Sequence, residues 1–248
     1  MVEYKLSRME PKLKNVYKVI RGFLILTILM NVAISAYYLI FNQKPELENV
    51  IREDISFRLQ LVFVATITLI ATYLPSYLDS RKNIQLPEVL EITVIIFIIA
   101  AGYLSQRFNL FVRFHWWDDV LHFTSGTFIA VAGFLLIYML NYRYSFDLNP
   151  WLIAIFTFSF SVAVAVFWEI AEFAADALWQ TNYQKWDVPA DTPLLGKPYQ
   201  GLALRDTMAD LIIASTGALI VSVLVFFSVN KNSDETIRKI SKLFNKNQ

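Results

Sequence analysis

Six apolar stretches, each close to the roughly 20 helical residues that cross a hydrocarbon core of about 30 Å, dominate this chain of 248 residues. They run from Val19 to Phe41, Phe57 to Leu78, Val89 to Ser105, Asp119 to Leu140, Trp151 to Leu178 and Asp206 to Val229. Arg58 and Gln60 shorten the second, and Ser105, Gln106 and Arg107 end the third early. A chain with 56% hydrophobic, 15% aromatic and 17% charged residues is too apolar for a soluble domain of this length. The expected fold is therefore all-α: a polytopic integral membrane helical bundle of about six transmembrane helices. A basic segment, 1–18, precedes the six-helix transmembrane domain, 19–229, and a basic tail, 230–248, follows it. The first apolar run continues beyond the 7 to 15 residues of a signal-peptide core, so it reads as an uncleaved helix.

The net charge of +1 hides a strong segregation. With the N-terminus inside, the inner segments carry fourteen of the 22 Lys and Arg residues, among them Lys5, Arg8, Lys12, Arg81, Lys82, Arg143 and Lys231. Basic loops are retained in the cytoplasm, so both termini are expected to be cytoplasmic in a cell membrane. Basic residues gathered toward the termini, with acids at certain helix ends, leave no nucleic-acid footprint. The tail places Ile237, Ile240 and Phe244 at helical spacing beside Lys and Arg, as an amphipathic segment on an anionic leaflet would. Cysteine is absent, which excludes disulfides, zinc thiolates and cysteine nucleophiles. The longest connection, Gln180 to Leu204, carries Pro189, Pro193, Gly196, Pro198 and Gly201 and cannot be one helix.

On that topology the acids of the last three spans fall at one end, near the outer interface. Asp118, Asp119 and His122 open the fourth span, with His115 upstream; Glu169, Glu172 and Asp176 close the fifth; Asp206 and Asp210 open the sixth. Trp116, Trp117, Trp168 and Trp179 suit an interfacial belt at the same level. An ionised Asp at a helix centre costs about 2.5 to 3.5 kcal/mol on insertion scales, so such a group needs pairing, protonation or a cation. Helical spacing sets His122 one turn beyond Asp118 and Asp119, Glu172 and Asp176 in successive turns after Glu169, and Asp210 one turn beyond Asp206.

Asp118, Asp119 and Asp206 also suit the plain role of acids at helix N-termini, and Thr207 with Asp210 resembles a capping box. Glu169 and Glu172 approach a helix C-terminus, where the dipole disfavours negative charge. Their candidate partners are Arg113, Arg205, a protonated His122 or a divalent cation. Asp119, His122, Glu169, Glu172, Asp206 and Asp210 form an oxygen-rich donor set suited to Mg, Mn or Zn rather than copper. Ser125-Gly126 and the Ala214, Gly217, Ala218 stripe read as close helix packing.

Three ordered elements carry a family resemblance: Asp118-x-x-x-His122-Phe123-x-x-Gly126, Trp168-Glu169-x-x-Glu172, and Asp206-Thr207-x-x-Asp210 leading to Gly217-Ala218. In these the chain resembles the YjdF-like inner-membrane protein family, over roughly residues 89 to 225. More loosely it is similar to the VanZ-like proteins, associated with resistance to a lipid-anchored glycopeptide antibiotic; there an Asn usually stands where this chain has Ala214. The resemblance implies an outward-facing polar site and names no reaction.

Three readings follow. In the first, a divalent cation held by these side chains binds an anionic lipid headgroup, with Arg113 and Arg205 as further anion contacts and His122 or Glu172 moving protons. In the second, the acids form an interhelical network in a structural or interaction protein. In the third, the cluster couples transport to protons or cations, although no internal repeat or broken helix pair marks a midplane site.

Overall fold

The computed structural model describes residues 11–41, 55–73, 88–179, 182–186 and 201–231. The basic segment before Pro11, the tail beyond Lys231, most of the Gln180 to Leu204 connection and the end of the second expected span lie outside them. Among the described residues every element is helical. They fall into two compact units that divide after Arg113.

The first unit holds α1 (Pro11–Phe41), α2 (Ile55–Ala71) and α3 (Glu88–Ile98). α3 runs on through a π-helical turn, Ile99–Leu104, into the short α4 (Ser105–Phe108) and α5 (Leu110–Arg113). Leu24 of α1, Leu61 and Ala65 of α2 and Tyr103 of the π turn form its core. The π turn is held by Ser105, whose hydroxyl donates to the Ala100 carbonyl at 2.6 Å. A side chain at Gly102 would press on Thr68 Oγ1 at 3.2 Å, so the turn packs closely on α2. Arg21, buried in α1, donates to the Thr72 carbonyl (2.8 Å) and Oγ1 (3.1 Å) beyond the last turn of α2 and lies over the Tyr73 ring at 3.7 Å. The guanidinium thus satisfies backbone that the helix end leaves open.

The second unit is α6 (Trp116–Tyr144), α7 (Pro150–Trp179) and α8 (Leu202–Lys231), each packed on the other two. Local sequence dictates the α6–α7 turn. Ser145 takes a left-handed φ of 52° as the C-cap. Asn149 then caps α7, its Oδ1 accepting from Leu152 N at 2.8 Å, and Pro150 takes the first helical position, where no N–H is needed. Trp151 near the start of α7 packs against Phe226 near the end of α8, their ring centroids 4.5 Å apart, so α7 runs antiparallel to α8, and α6 and α8 run parallel.

Small residues bring these helices together. A Cβ at Gly126 would stand 2.2 Å from the Ala214 carbonyl oxygen, and one at Gly217 would stand 2.5 Å from the Phe123 oxygen, so α6 and α8 meet almost backbone to backbone. α7 joins the same layer through Ser161, whose hydroxyl donates to the Gly126 carbonyl at 2.8 Å. Gly133 makes room for the Phe160 ring, 2.7 Å from where a Cβ would lie.

Four described helices are long and apolar enough to cross a membrane: Asn15–Phe41, Trp116–Asn141, Pro150–Leu178 and Leu202–Lys231. The second and third expected spans correspond to shorter apolar helices, Arg58–Ala71 and Ile92–Phe108. The architecture is that of a polytopic helical membrane protein, and its exposed Leu, Ile, Val and Phe side chains are those a lipid environment would cover.

Candidate functional site

The parallel register of α6 and α8 builds the site one turn at a time. Gly126 lies against Ala214. One turn nearer the helix starts, His122 Nε2 is 3.7 Å from Asp210 Oδ2. One turn nearer still, Asp118 and Asp206 share a single ammonium group, Lys185 Nζ. Backbone proximity at the glycine layer therefore forces the acids on the next two turns together. His122, Asp206 and Asp210 are buried, with 8%, 6% and 3% of their surface exposed.

α7 contributes from its C-terminal end. Glu169 is buried at 5% exposure, and its Oε2 has no hydrogen-bond partner. It stands beside Thr207 and within electrostatic range of Asp206, Asp118 and Lys185. Glu172, half-buried, accepts from the Trp168 indole N–H at 2.8 Å. Asp176 turns back to receive the backbone N–H groups of Tyr183 (2.8 Å) and Gln184 (2.9 Å).

Those last bonds fix residues 182–186, the segment that delivers Lys185. Its backbone is left-handed at Lys185, φ 47°, and the Gln184 side chain donates to Thr207 Oγ1 at 2.8 Å. Lys185 reaches Asp206 Oδ1 at 2.6 Å and forms a second ion pair with Asp118 Oδ2. Burial alone would lower its pKa, but the Asp118 and Asp206 carboxylates outweigh that and hold it well above the usual lysine value. The segment thus ties α6, α7 and α8 at one end.

His122 has a different geometry. Its Nε2 lies 3.6 Å from Asp118 Oδ1 and 3.7 Å from Asp210 Oδ2, too far for ordinary N–H···O bonds of about 2.7 to 3.2 Å. Asp118, His122 and Asp210 each offer a ligand atom within 4.8 Å of the others. Ligand atoms around a tetrahedral ion bound at about 2.1 Å stand roughly 3.4 Å apart, so a small inward movement would close the three on a cation.

The residues expected from spacing are distributed unevenly. His122, Glu169, Asp206 and Asp210 come together and are buried, and Glu172 lies at their margin. Asp119, Arg205 and His115 are exposed, and Arg113 ends α5, also exposed, in the first unit. Asp118, one residue from Asp119, faces α8 instead. α8 begins at Leu202, so Thr207 and Asp210 sit beyond its first turn and form no capping box. Lys185 escaped the sequence reading: it lies in a connection without periodicity, and its one signal is that buried acids require a nearby cation.

Fold and site together define a multi-pass helical membrane protein with an acid–histidine–lysine cluster at one end of a three-helix unit. The chain belongs to the DUF2238 family of predicted membrane proteins, whose profile matches residues 25–231; this is the family that the YjdF-like motifs indicated. Neither a curated protein nor a solved structure matches it.

Proposed function

We propose that the chain binds a divalent cation through Asp118, His122 and Asp210 and presents it to an anionic headgroup at the membrane surface. The observation that carries this is the spacing at His122: two carboxylate oxygens approach one imidazole nitrogen at 3.6 and 3.7 Å, beyond hydrogen bonding and close to ligand–ligand separation. Two oxygens and one nitrogen form a hard to borderline donor set, suited to Mn, Mg or Zn. Three protein ligands leave coordination positions for water or substrate, as in catalytic metal sites.

An anionic ligand needs the cation, because the acids alone repel phosphate. With His122 committed to the metal, Glu172 is the group placed to move a proton, and metal-assisted phosphoryl or acyl chemistry is open to the site. Basic loops retained inside would turn this end of the unit outward, toward outer-leaflet lipid.

The test is Mn2+ binding to the detergent-purified full chain, followed by the EPR signal of free Mn2+. Binding is expected in the wild type, lost in Asp210→Asn and in His122→Ala, and retained in Asp119→Asn. No binding, or binding indifferent to Asp210 and His122, overturns the proposal. A second reading rests on Lys185: its two ion pairs across α6 and α8 suit a purely structural clamp. On that reading Asp206→Asn lowers folded yield while no variant shows a metal phenotype.

A further inference from the structure

A cation held by Asp118, His122 and Asp210 is closed off from a headgroup in the fold as it stands. His122 and Asp210 are 8% and 3% exposed, and on the turn nearer the helix starts Lys185 Nζ stands between Asp118 and Asp206. The coordination positions that a three-ligand metal keeps open for substrate become useful only if something moves. The three helices are poor candidates, because backbone contacts at Gly126 and Gly217 and the Ser161 bond fix them on one another.

The 182–186 segment is held differently. Asp176 accepts the Tyr183 and Gln184 N–H groups, Thr207 accepts from the Gln184 side chain, and Lys185 pairs with Asp118 and Asp206. Its two rings, Tyr183 and Trp186, stay exposed, so polar bonds rather than apolar burial keep the segment down. Elements with few buried apolar contacts open locally at low cost. Lys185 also has a left-handed φ of 47°, a strain that detachment relieves. Asp118 links this segment to the cation position: its Oδ2 takes the ammonium, and its Oδ1 lies 3.6 Å from His122 Nε2. A divalent ion at His122 competes for that carboxylate. It also repels the ammonium, which lies within electrostatic range of both His122 and Asp210.

We infer that residues 182–186 form a lid on the His122–Asp210 position, latched by Lys185, and that a divalent cation entering that position releases it. The inference rests on the cation reading of the His122 position and adds its regulation: metal first, then access for the anionic ligand. A small ion enters through the brief openings such a segment undergoes, whereas a headgroup needs the lid held open. Coupling between two such events is reciprocal, so loosening the lid must tighten the metal.

The experiment uses the full chain in detergent. Hydrogen–deuterium exchange, read by mass spectrometry on peptides covering 182–186, follows the Tyr183 and Gln184 amides with and without saturating Mn2+, and EPR of free Mn2+ gives the affinity. Mn2+ is expected to speed that exchange about tenfold, within the usual span of coupling between sites, and Asp210→Asn to abolish the effect. Asp176→Ala, which removes the two backbone anchors and no metal ligand, is expected to bind Mn2+ more tightly, by up to the same factor. If Mn2+ binds but leaves exchange unchanged or slows it, or if Asp176→Ala binds no more tightly, the lid is refuted and the His122 site stands. If Mn2+ does not bind, or speeds exchange in Asp210→Asn as well, both fall. Should Asp176→Ala fail to accumulate, Gln184→Ala, which removes the bond to Thr207, carries the same comparison.

Discussion

Gly126→Ala is the sharpest perturbation the structure offers, because the added methyl meets backbone rather than a side chain that can turn aside. Its Cβ would lie 2.2 Å from the Ala214 oxygen, 2.8 Å from its carbonyl carbon and 2.9 Å from its Cα, where ordinary contact begins at 3.4 Å. α6 and α8 must therefore part by about 1 Å at this layer, since packed interiors transmit such strain rather than absorb it. Overpacking of this kind costs about 1 to 3 kcal/mol, against roughly 0.8 to 1 kcal/mol gained from replacing a helical glycine by alanine. Taking the middle of the overpacking range, the net expectation is a loss of about 1 kcal/mol in SDS unfolding of the detergent-solubilised protein, followed by tryptophan fluorescence. The parting also carries His122 away from Asp210 one turn on, so on the proposed cation reading Mn2+ affinity should fall with stability. Two controls sharpen the test. Gly22→Ala, with nothing within 4 Å of its new Cβ, should be neutral or stabilising. Ala214→Gly should not rescue Gly126→Ala, because the atoms met belong to the Ala214 main chain. Wild-type stability in Gly126→Ala, or rescue by Ala214→Gly, would refute the backbone-contact argument.

Ser161→Ala removes the hydrogen bond from α7 to the Gly126 carbonyl and should cost about 0.6 kcal/mol, the average for such bonds in membrane proteins, in the same SDS titration. Arg21→Met strips the donors from the Thr72 carbonyl and the stacking over Tyr73; a loss of about 2 kcal/mol is expected, with earlier amide exchange at the end of α2. Lys185→Met leaves Asp118 and Asp206 without their ammonium and should destabilise the folded chain by about 3 kcal/mol at neutral pH. Because the folded pKa of Lys185 lies above the ordinary 10.5, its contribution is full below that value and fades as pH rises toward the folded one. The stability gap between wild type and Lys185→Met should therefore hold to about pH 10 and narrow above it; a gap that widens in alkali contradicts the ion-pair assignment.

Apolar length and helical spacing made much of this legible in the sequence. The last three spans, the close packing at Gly126 and Gly217, and the grouping of His122, Glu169, Asp206 and Asp210 all follow from local pattern. What escaped depended on which face met which. Asp118 and Asp119 are both one turn from His122, and only the packing of α6 on α8 half-buries one and leaves the other exposed. Helix starts at Trp116 and Leu202, three or four residues before the expected ones, carried Thr207 and Asp210 past any capping role. The π turn at Ile99–Leu104 has no periodic signature, since it comes from a single widened turn closed by Ser105. Lys185 depends on a loop whose path is set by Asp176, a tertiary contact that no local pattern encodes.

The pairing of α6 with α8 also guards its own alignment. Slide one helix past its neighbour by a single turn in one direction, and Asp210 would face Gly126, an acid thrust against bare backbone, while Asp206 took its place beside His122. Slide it the other way, and Asp206 would lose Lys185 while the methyl of Ala214 met the imidazole. Greasy helices in lipid can shift along one another with little change in buried area, so apolar packing alone specifies such an offset weakly. The charged turns supply what it lacks: a mismatch penalty that makes one longitudinal setting of the two helices far better than its neighbours.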